Sequence, residues 1–80
     1  MKFYYDRKYE KLVNFNHVIM VKIQRMGDKP TLLFTTTDEE ITEEVEYTSI
    51  GTMEKDLDEL VAFLNSEKES GVIYLGETDE

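Results

Sequence analysis

One amphipathic helix stands in a chain otherwise patterned for strands, and that contrast sets the fold class. In the segment TMEKDLDELVAFLNSEK, Met53, Leu57, Leu60, Val61 and Leu64 fall at i, i+4, i+7, i+8 and i+11. At 3.6 residues per turn this spacing makes a single apolar stripe, wide enough to cover one face of a sheet. Gly51 breaks the extended segment before it, and Thr52 offers a capping hydroxyl, so the helix is expected over 52–66. Ala62 falls opposite the stripe, and Phe63 on its flank extends the contact.

The remaining apolar residues recur with the period of a strand. KFYY (2–5), KLVNF (11–15), HVIMVKIQR (17–25), TLLFTTT (31–37) and GVIYL (71–75) read as strands, with another over about 43–49. Ile19, Val21 and Ile23 share one face and are expected to face inward, while Val18, Met20, Lys22 and Gln24 share the other. That second face turns from apolar to polar and is expected to be covered only at one end. Leu32 and Phe34 point one way and Leu33 the other, and Val45 and Tyr47 take the inward phase. Asn14 and Asn16 mark a bend, and MGDKP (26–30) marks a turn. The expected fold is α+β. It has an antiparallel meander of about five strands packed on the one helix, followed by a short strand. A strongly bent sheet capped by the helix is the architectural alternative. Residues 1–76 form one domain, with 77–80 as an acidic tail outside it.

With 80 residues and no cysteine, neither a disulfide nor a thiolate-bound metal supports the fold. The core rests on apolar packing alone. The absence of cysteine also fits a cytoplasmic protein. The first eleven residues carry charges at positions 2, 6, 7, 8, 10 and 11, which leaves no apolar segment of the kind a signal peptide needs. The longest apolar run, Val18–Val21, is far short of a membrane span.

The net charge is −9, and its distribution is uneven. Residues 1–37 hold seven Lys/Arg against three Asp/Glu, a balance of +4, whereas residues 38–80 hold two against fifteen, a balance of −13. The acids concentrate in TTTDEEITEEVEY (35–47) and along the helix, at Glu54, Asp56, Asp58 and Glu59. If the halves pack together, they neutralise each other in part. If the acids share one side, they form a surface for a cationic partner. Within the acidic stretch, Glu44 and Glu46 fall on the outward phase of a strand. Glu43 falls on the inward phase with Val45, where an unpaired carboxylate is costly. A bulge near 42–43, or a later strand start, resolves that conflict.

Chemistry is sparsely supplied. The single histidine, His17, starts a strand, and Ser49, Ser66 and Ser70 lie in loops or at element ends without a nucleophile-elbow context. One histidine and no cysteine leave no zinc set, and DEEITEE lacks the spacing and the central glycine of an EF-hand loop. No catalytic, cofactor-binding or metal-ligating residue is therefore assigned. The N-terminal cations, interleaved with Tyr4, Tyr5 and Tyr9, make a basic footprint that the overall charge opposes, so direct nucleic-acid binding is not expected.

The function expected is a small, acidic, non-enzymatic module for protein–protein contact. Phe3 and Tyr5 on a terminal strand are its candidate anchors, and an edge strand also offers a route to a homodimer. The alternative is an inhibitor that mimics nucleic acid and enters the basic groove of a DNA- or RNA-handling protein, using Glu39, Glu40, Glu44 and Glu46.

Overall fold

The computed structural model describes residues 1–37 and 42–77. The elements run β1 (Lys2–Asp6), β2 (Lys11–Asn14), a 3-10 turn (Phe15–His17), β3 (Val18–Gln24), β4 (Thr31–Thr36), β5 (Thr42–Glu46), α1 (Ile50–Asn65) and β6 (Gly71–Leu75). The class is α+β, with strands packed on a helix in the second half of the chain. The strands form two three-stranded sheets, in the orders β2-β1-β6 and β3-β4-β5.

The expected meander divides at the 3-10 turn. Asn14 caps that turn through its side-chain oxygen, which accepts the N–H of Asn16 at 2.9 Å. The chain leaves the first sheet there and starts the second. β1 pairs antiparallel with β2, and β3, β4 and β5 pair antiparallel in sequence order. The last strand, β6, returns to lie parallel to β1, with Tyr4 beside Ile73 and Asp6 beside Leu75.

Strand alternation turns one face of each sheet inward. In the first sheet the inner rows are Val13–Tyr4–Ile73 and Lys11–Asp6–Leu75. In the second they are Ile23–Leu32–Val45 and Val21–Phe34–Glu43. The Tyr4 ring stacks on Phe34 with 4.4 Å between centroids, joining the two sheets at the centre of the core. Met53 and Leu60 of α1 are buried in the same cluster. Each such buried side chain contributes about 1.5–3 kcal/mol of transfer free energy.

Glu43 does face inward, as its phase requires. Its carboxylate forms an ion pair with Lys11 of the other sheet, so the inward acid is compensated. The β4–β5 ladder runs without a register shift from Thr42 onward and includes Glu43, so neither a bulge nor a later start removes the acid from the inward phase; the pairing with Lys11 is what accommodates it. The bulge in this sheet lies between Val18 and Met20 of β3, where Ile19 is the extra residue. This corrects the expectation for β3. Ile19 is 61% exposed rather than inward, Ile23 is 38% exposed, and Val21 alone of the three is partly buried against the core.

The helix differs from expectation in its start and its rotation. It begins at Ile50 after Ser49 rather than at Thr52, and Ser49 makes no side-chain capping bond. Its buried residues are Met53, Asp56 and Leu60, with Leu57 and Phe63 half-buried. Val61 is 50% exposed and Leu64 42% exposed. The helix is thus rolled from its hydrophobic stripe by roughly half of the ~100° step between residues. The carboxylate of Asp56 explains the roll. Its Oδ2 accepts the Tyr47 hydroxyl at 2.7 Å and the Gly76 N–H at 2.9 Å, tying the end of β5, the helix and the end of β6 together. At its other end, α1 is capped by Lys2 of β1. The ammonium donates to the carbonyls of Phe63 (2.7 Å), Ser66 (3.1 Å) and Leu64 (3.3 Å), where a cation also complements the helix dipole.

Two buried tyrosines test this account by contrast. Tyr47→Phe leaves the Asp56 carboxylate short of a donor and is expected to cost about 1–3 kcal/mol. The Tyr4 hydroxyl is buried with no hydrogen-bond partner among the described residues, so Tyr4→Phe removes an uncompensated polar group. It should leave the unfolding midpoint unchanged or raise it. Urea denaturation of the two variants, followed by circular dichroism, measures the difference.

Candidate interaction surface

The outer faces of the two sheets differ in chemistry. On the second sheet, the outward rows are Met20–Thr35–Thr42, Lys22–Leu33–Glu44 and Gln24–Thr31–Glu46, polar at most positions although Thr31 is itself buried. On the first sheet, the rows are Leu12–Tyr5–Tyr74 and Asn14–Phe3–Val72. Five of these six positions are apolar or aromatic. Leu12 is 55% exposed, Val72 44% and Tyr74 53%, so the face lies open to solvent.

The face is ordered by ring contacts. Tyr5 and Tyr74 lie side by side on neighbouring strands, with centroids 5.3 Å apart and a tilt of 55°. The Arg7 guanidinium sits 5.7 Å from the Tyr74 centroid and donates to the Gly76 carbonyl at 3.1 Å, which holds a cation at the rim. Around the edge of β6 the surface continues into a shallow groove against α1, where Phe63 and Glu59 face Val72 and Tyr74.

The structure places Phe3 and Tyr5 together on the central strand of this face. Glu44 and Glu46 lie on the outward phase of β5, in the other sheet. Glu39 and Glu40 lie outside the described residues. Sequence reasoning missed Leu12, Val72, Tyr74 and Arg7. The signal was present in GVIYL, where both alternating phases are apolar: Ile73 and Leu75 are buried in the core, which leaves Val72 and Tyr74 on the outside.

The charged half-chains meet across the fold. Lys11 pairs with Glu43, and Arg25 with Glu54 at 2.5 Å; each joins a cation of the first half to an acid of the second. Glu77, assigned from sequence to the acidic tail, is anchored. Its Oε1 accepts the N–H of Thr48 at 2.7 Å and of Ser49 at 3.2 Å, and its Oε2 accepts the Thr48 hydroxyl at 2.7 Å. Residues 78–80 lie outside the described residues. The Thr48 side-chain and backbone hydrogen bonds, with the Ser49 N–H and the nearby Lys29 charge, hold the Glu77 carboxyl below its ordinary value of 4.5.

The interior polar groups are arranged for structure. Burial, followed by the Asp56 hydrogen bond and charge, pushes the Tyr47 phenol far above its ordinary value, so it acts as a donor over the whole physiological range. Burial, followed by the Glu43 and Asp6 charges, does the same to Tyr4. Asp6 itself is buried and accepts the N–H groups of Lys8 (2.9 Å) and Tyr9 (3.3 Å), which shapes the β1–β2 turn. That turn also holds Glu10 at φ 52°. His17 is exposed at the end of the 3-10 turn. Among the described residues, no three His, Asp or Glu side chains converge as a metal site would require, and no helix is long and apolar enough to cross a membrane.

Comparison with protein-family models, with curated proteins and with solved structures finds no match to this chain.

The anchoring of Glu77 carries a sign. A carboxyl with a lowered folded pKa stabilises the fold above its unfolded value, and that contribution is lost as pH falls through the folded value. Acidification below about pH 4.5 is therefore expected to release this contact, and Glu77→Gln should lack that part of the pH dependence. Unfolding midpoints of both proteins across the acid range measure it, and a pH titration of the Glu77 side chain by NMR locates the step.

Proposed function

We propose that the chain is a small, non-enzymatic protein-binding module whose contact surface is the outer face of the β2-β1-β6 sheet. One observation carries this proposal. A solvated sheet face is expected to be polar, and this one presents Leu12, Phe3, Tyr5, Val72 and Tyr74 with a single asparagine. Aromatic side chains on a rigid strand supply large contact area for little lost rotamer entropy, which is why they dominate interface energetics. Phe3 and Tyr5 sit on the central strand, held from both sides, and Tyr74 flanks them. The partner that fits such a face is a protein with an apolar patch of its own. Arg7 at the rim favours an acidic group beside that patch.

An interface of this kind gains its energy from desolvated apolar area, so it persists in salt. Affinity capture with the wild-type protein is expected to retain a partner through about 1 M NaCl, a range that screens surface charge pairs. A Tyr5→Ser/Tyr74→Ser variant, shown to be folded by circular dichroism, should lose the partner by tenfold or more, since two anchors at about 1–2 kcal/mol each are removed. Retention of the partner by this variant would overturn the proposal. A complex that salt strips away, and that charge reversal of Glu44 and Glu46 abolishes, would point to nucleic-acid mimicry instead.

A further inference from the structure

The two sheets leave four strand edges, and three of them carry features that discourage pairing with another strand. β5 presents Glu43, Glu44 and Glu46, and β2 has only four residues and begins with a lysine. β3 is bulged between Val18 and Met20 and holds Lys22 in mid-strand. β6 has none of these features. Its sequence, GVIYL, is without charge or proline, and its ladder with β1 runs without a register shift.

The backbone of β6 defines its free edge. Gly71 donates its N–H to the Met1 carbonyl at 3.1 Å, and the Leu75 carbonyl accepts the Arg7 N–H at 3.0 Å. In a parallel ladder both polar groups of a residue point to the same side, and successive residues alternate. Gly71, Ile73 and Leu75 therefore face β1, whereas Val72 and Tyr74 turn their N–H and C=O groups to the open edge. Among the described residues, no partner meets those four groups.

Helix α1 walls this edge without closing it. It runs antiparallel to β6, with Asp56 at Gly76 and Phe63 at Gly71, where a side chain on the glycine would meet the ring at 3.1 Å. An open groove lies between them, lined by Phe63, Ala62, Glu59, Val72, Tyr74 and Arg7. Its apolar end is preformed. The Phe63 ring has the Lys2 ammonium 5.3 Å from its centroid and the Phe15 ring 6.2 Å away.

We infer that an extended segment of a partner protein lies in this groove and adds to β6 as the fourth strand of the sheet, in the order β2-β1-β6-partner. This strand addition presupposes that the outer face of the sheet is the contact surface, and it specifies how the partner's chain meets that face. Val72 and Tyr74 present side chains to the face and backbone groups to the edge, so one segment engages both. Two donors and two acceptors in a row are met by another strand, and a shallow groove suits an extended chain better than an enclosed small molecule. About five residues, at ~3.3 Å each, span the edge. Their alternating side chains pack on Phe63 and Ala62 on the helix side, and beside Val72 and Tyr74 on the outer side. Charge sets the end of the segment nearest Tyr74. Arg7, whose guanidinium stands 5.7 Å from the Tyr74 centroid, selects an acidic residue on the outer side, and Glu59 selects a basic neighbour on the helix side.

Selection of short linear peptides from a random display library on the wild-type protein tests this. The expected peptides are apolar at alternate positions, with adjacent acidic and basic residues at one end. A resynthesised peptide should slow hydrogen exchange at the Val72 and Tyr74 amides, followed by NMR, by tenfold or more. Ala62→Arg, at an exposed helix position, fills the groove and should weaken binding by tenfold or more. Val72→Pro removes an edge donor that the β1 ladder does not use, and it should do the same. If Val72→Pro does not fold, Ala62→Arg and the exchange measurement carry the test. Failure to enrich any peptide, or a peptide that leaves the two amides exchanging at their free rates, would overturn the strand addition. A peptide lost in Tyr5→Ser but retained by folded Val72→Pro and Ala62→Arg would uphold the aromatic contact face and overturn the added strand. Retention by all three variants would overturn both. Self-association of the wild type in sedimentation velocity, abolished by Ala62→Arg, would put a second copy in the groove and overturn the partner segment.

Discussion

The hydrogen bonds to the Asp56 carboxylate are the contact on which the architecture depends. A buried charge is tolerated only where donors replace its lost hydration, and here Tyr47 and the Gly76 backbone supply them. The three groups belong to the end of β5, the second turn of α1 and the residue after β6. One carboxylate thus fixes how far the helix is rolled, where the second sheet ends and where the final strand stops. Gly76 takes φ 101° at this point, a conformation that suits glycine and turns its N–H toward the carboxylate. Glu77 then fastens the next residue to Thr48 and Ser49, so two adjacent residues of the C-terminal segment are gripped by the loop that opens the helix.

How much of this was legible follows from where the information lies. Strand positions and the helix could be read because alternation and the 3.6-residue stripe are local patterns. The roll of the helix could not, since a lone aspartate within an acidic helix looks solvated until Tyr47 and Gly76 arrive from elsewhere in the chain. The start at Ile50 was missed for a related reason: the carboxylate at the loop before the helix comes from Glu77, not from a neighbouring side chain. In β3 the alternation of Ile19, Val21 and Ile23 was genuine, but an inserted residue at Ile19 broke its phase. Phe3 and Tyr5 could be singled out as aromatic residues on a terminal strand. Their neighbours Tyr74 and Val72 needed the β1–β6 register, which joins residues almost a whole chain apart. Glu43 shows the reverse case. Its conflict was visible in the sequence, and its solution, Lys11 on the facing sheet, was not.

The uneven charge of the chain acquires a structural meaning from these contacts. Four of the seven cations of the first half are engaged with the second: Lys2 at the helix C-terminus, Arg7 at the Gly76 carbonyl, Lys11 with Glu43 and Arg25 with Glu54. Much of the asymmetry along the sequence becomes attraction between parts that must meet. The two outer sheet faces then divide the remaining surface, one polar and one aromatic, so the chain has distinct sides although it is small.

The parallel pairing of β1 with β6 also sets an order of assembly. The β1–β2 and β3–β4–β5 pairings join strands close in sequence and need only short loops to close. The β1–β6 pairing closes nearly the full length of the chain, and its entropic cost is repaid only when the intervening helix is already in place. The hairpins can therefore form early, while Tyr4 and Asp6 wait on an open strand for the last residues to arrive. Until they do, the β1–β2 hairpin lacks the strand that covers its open edge.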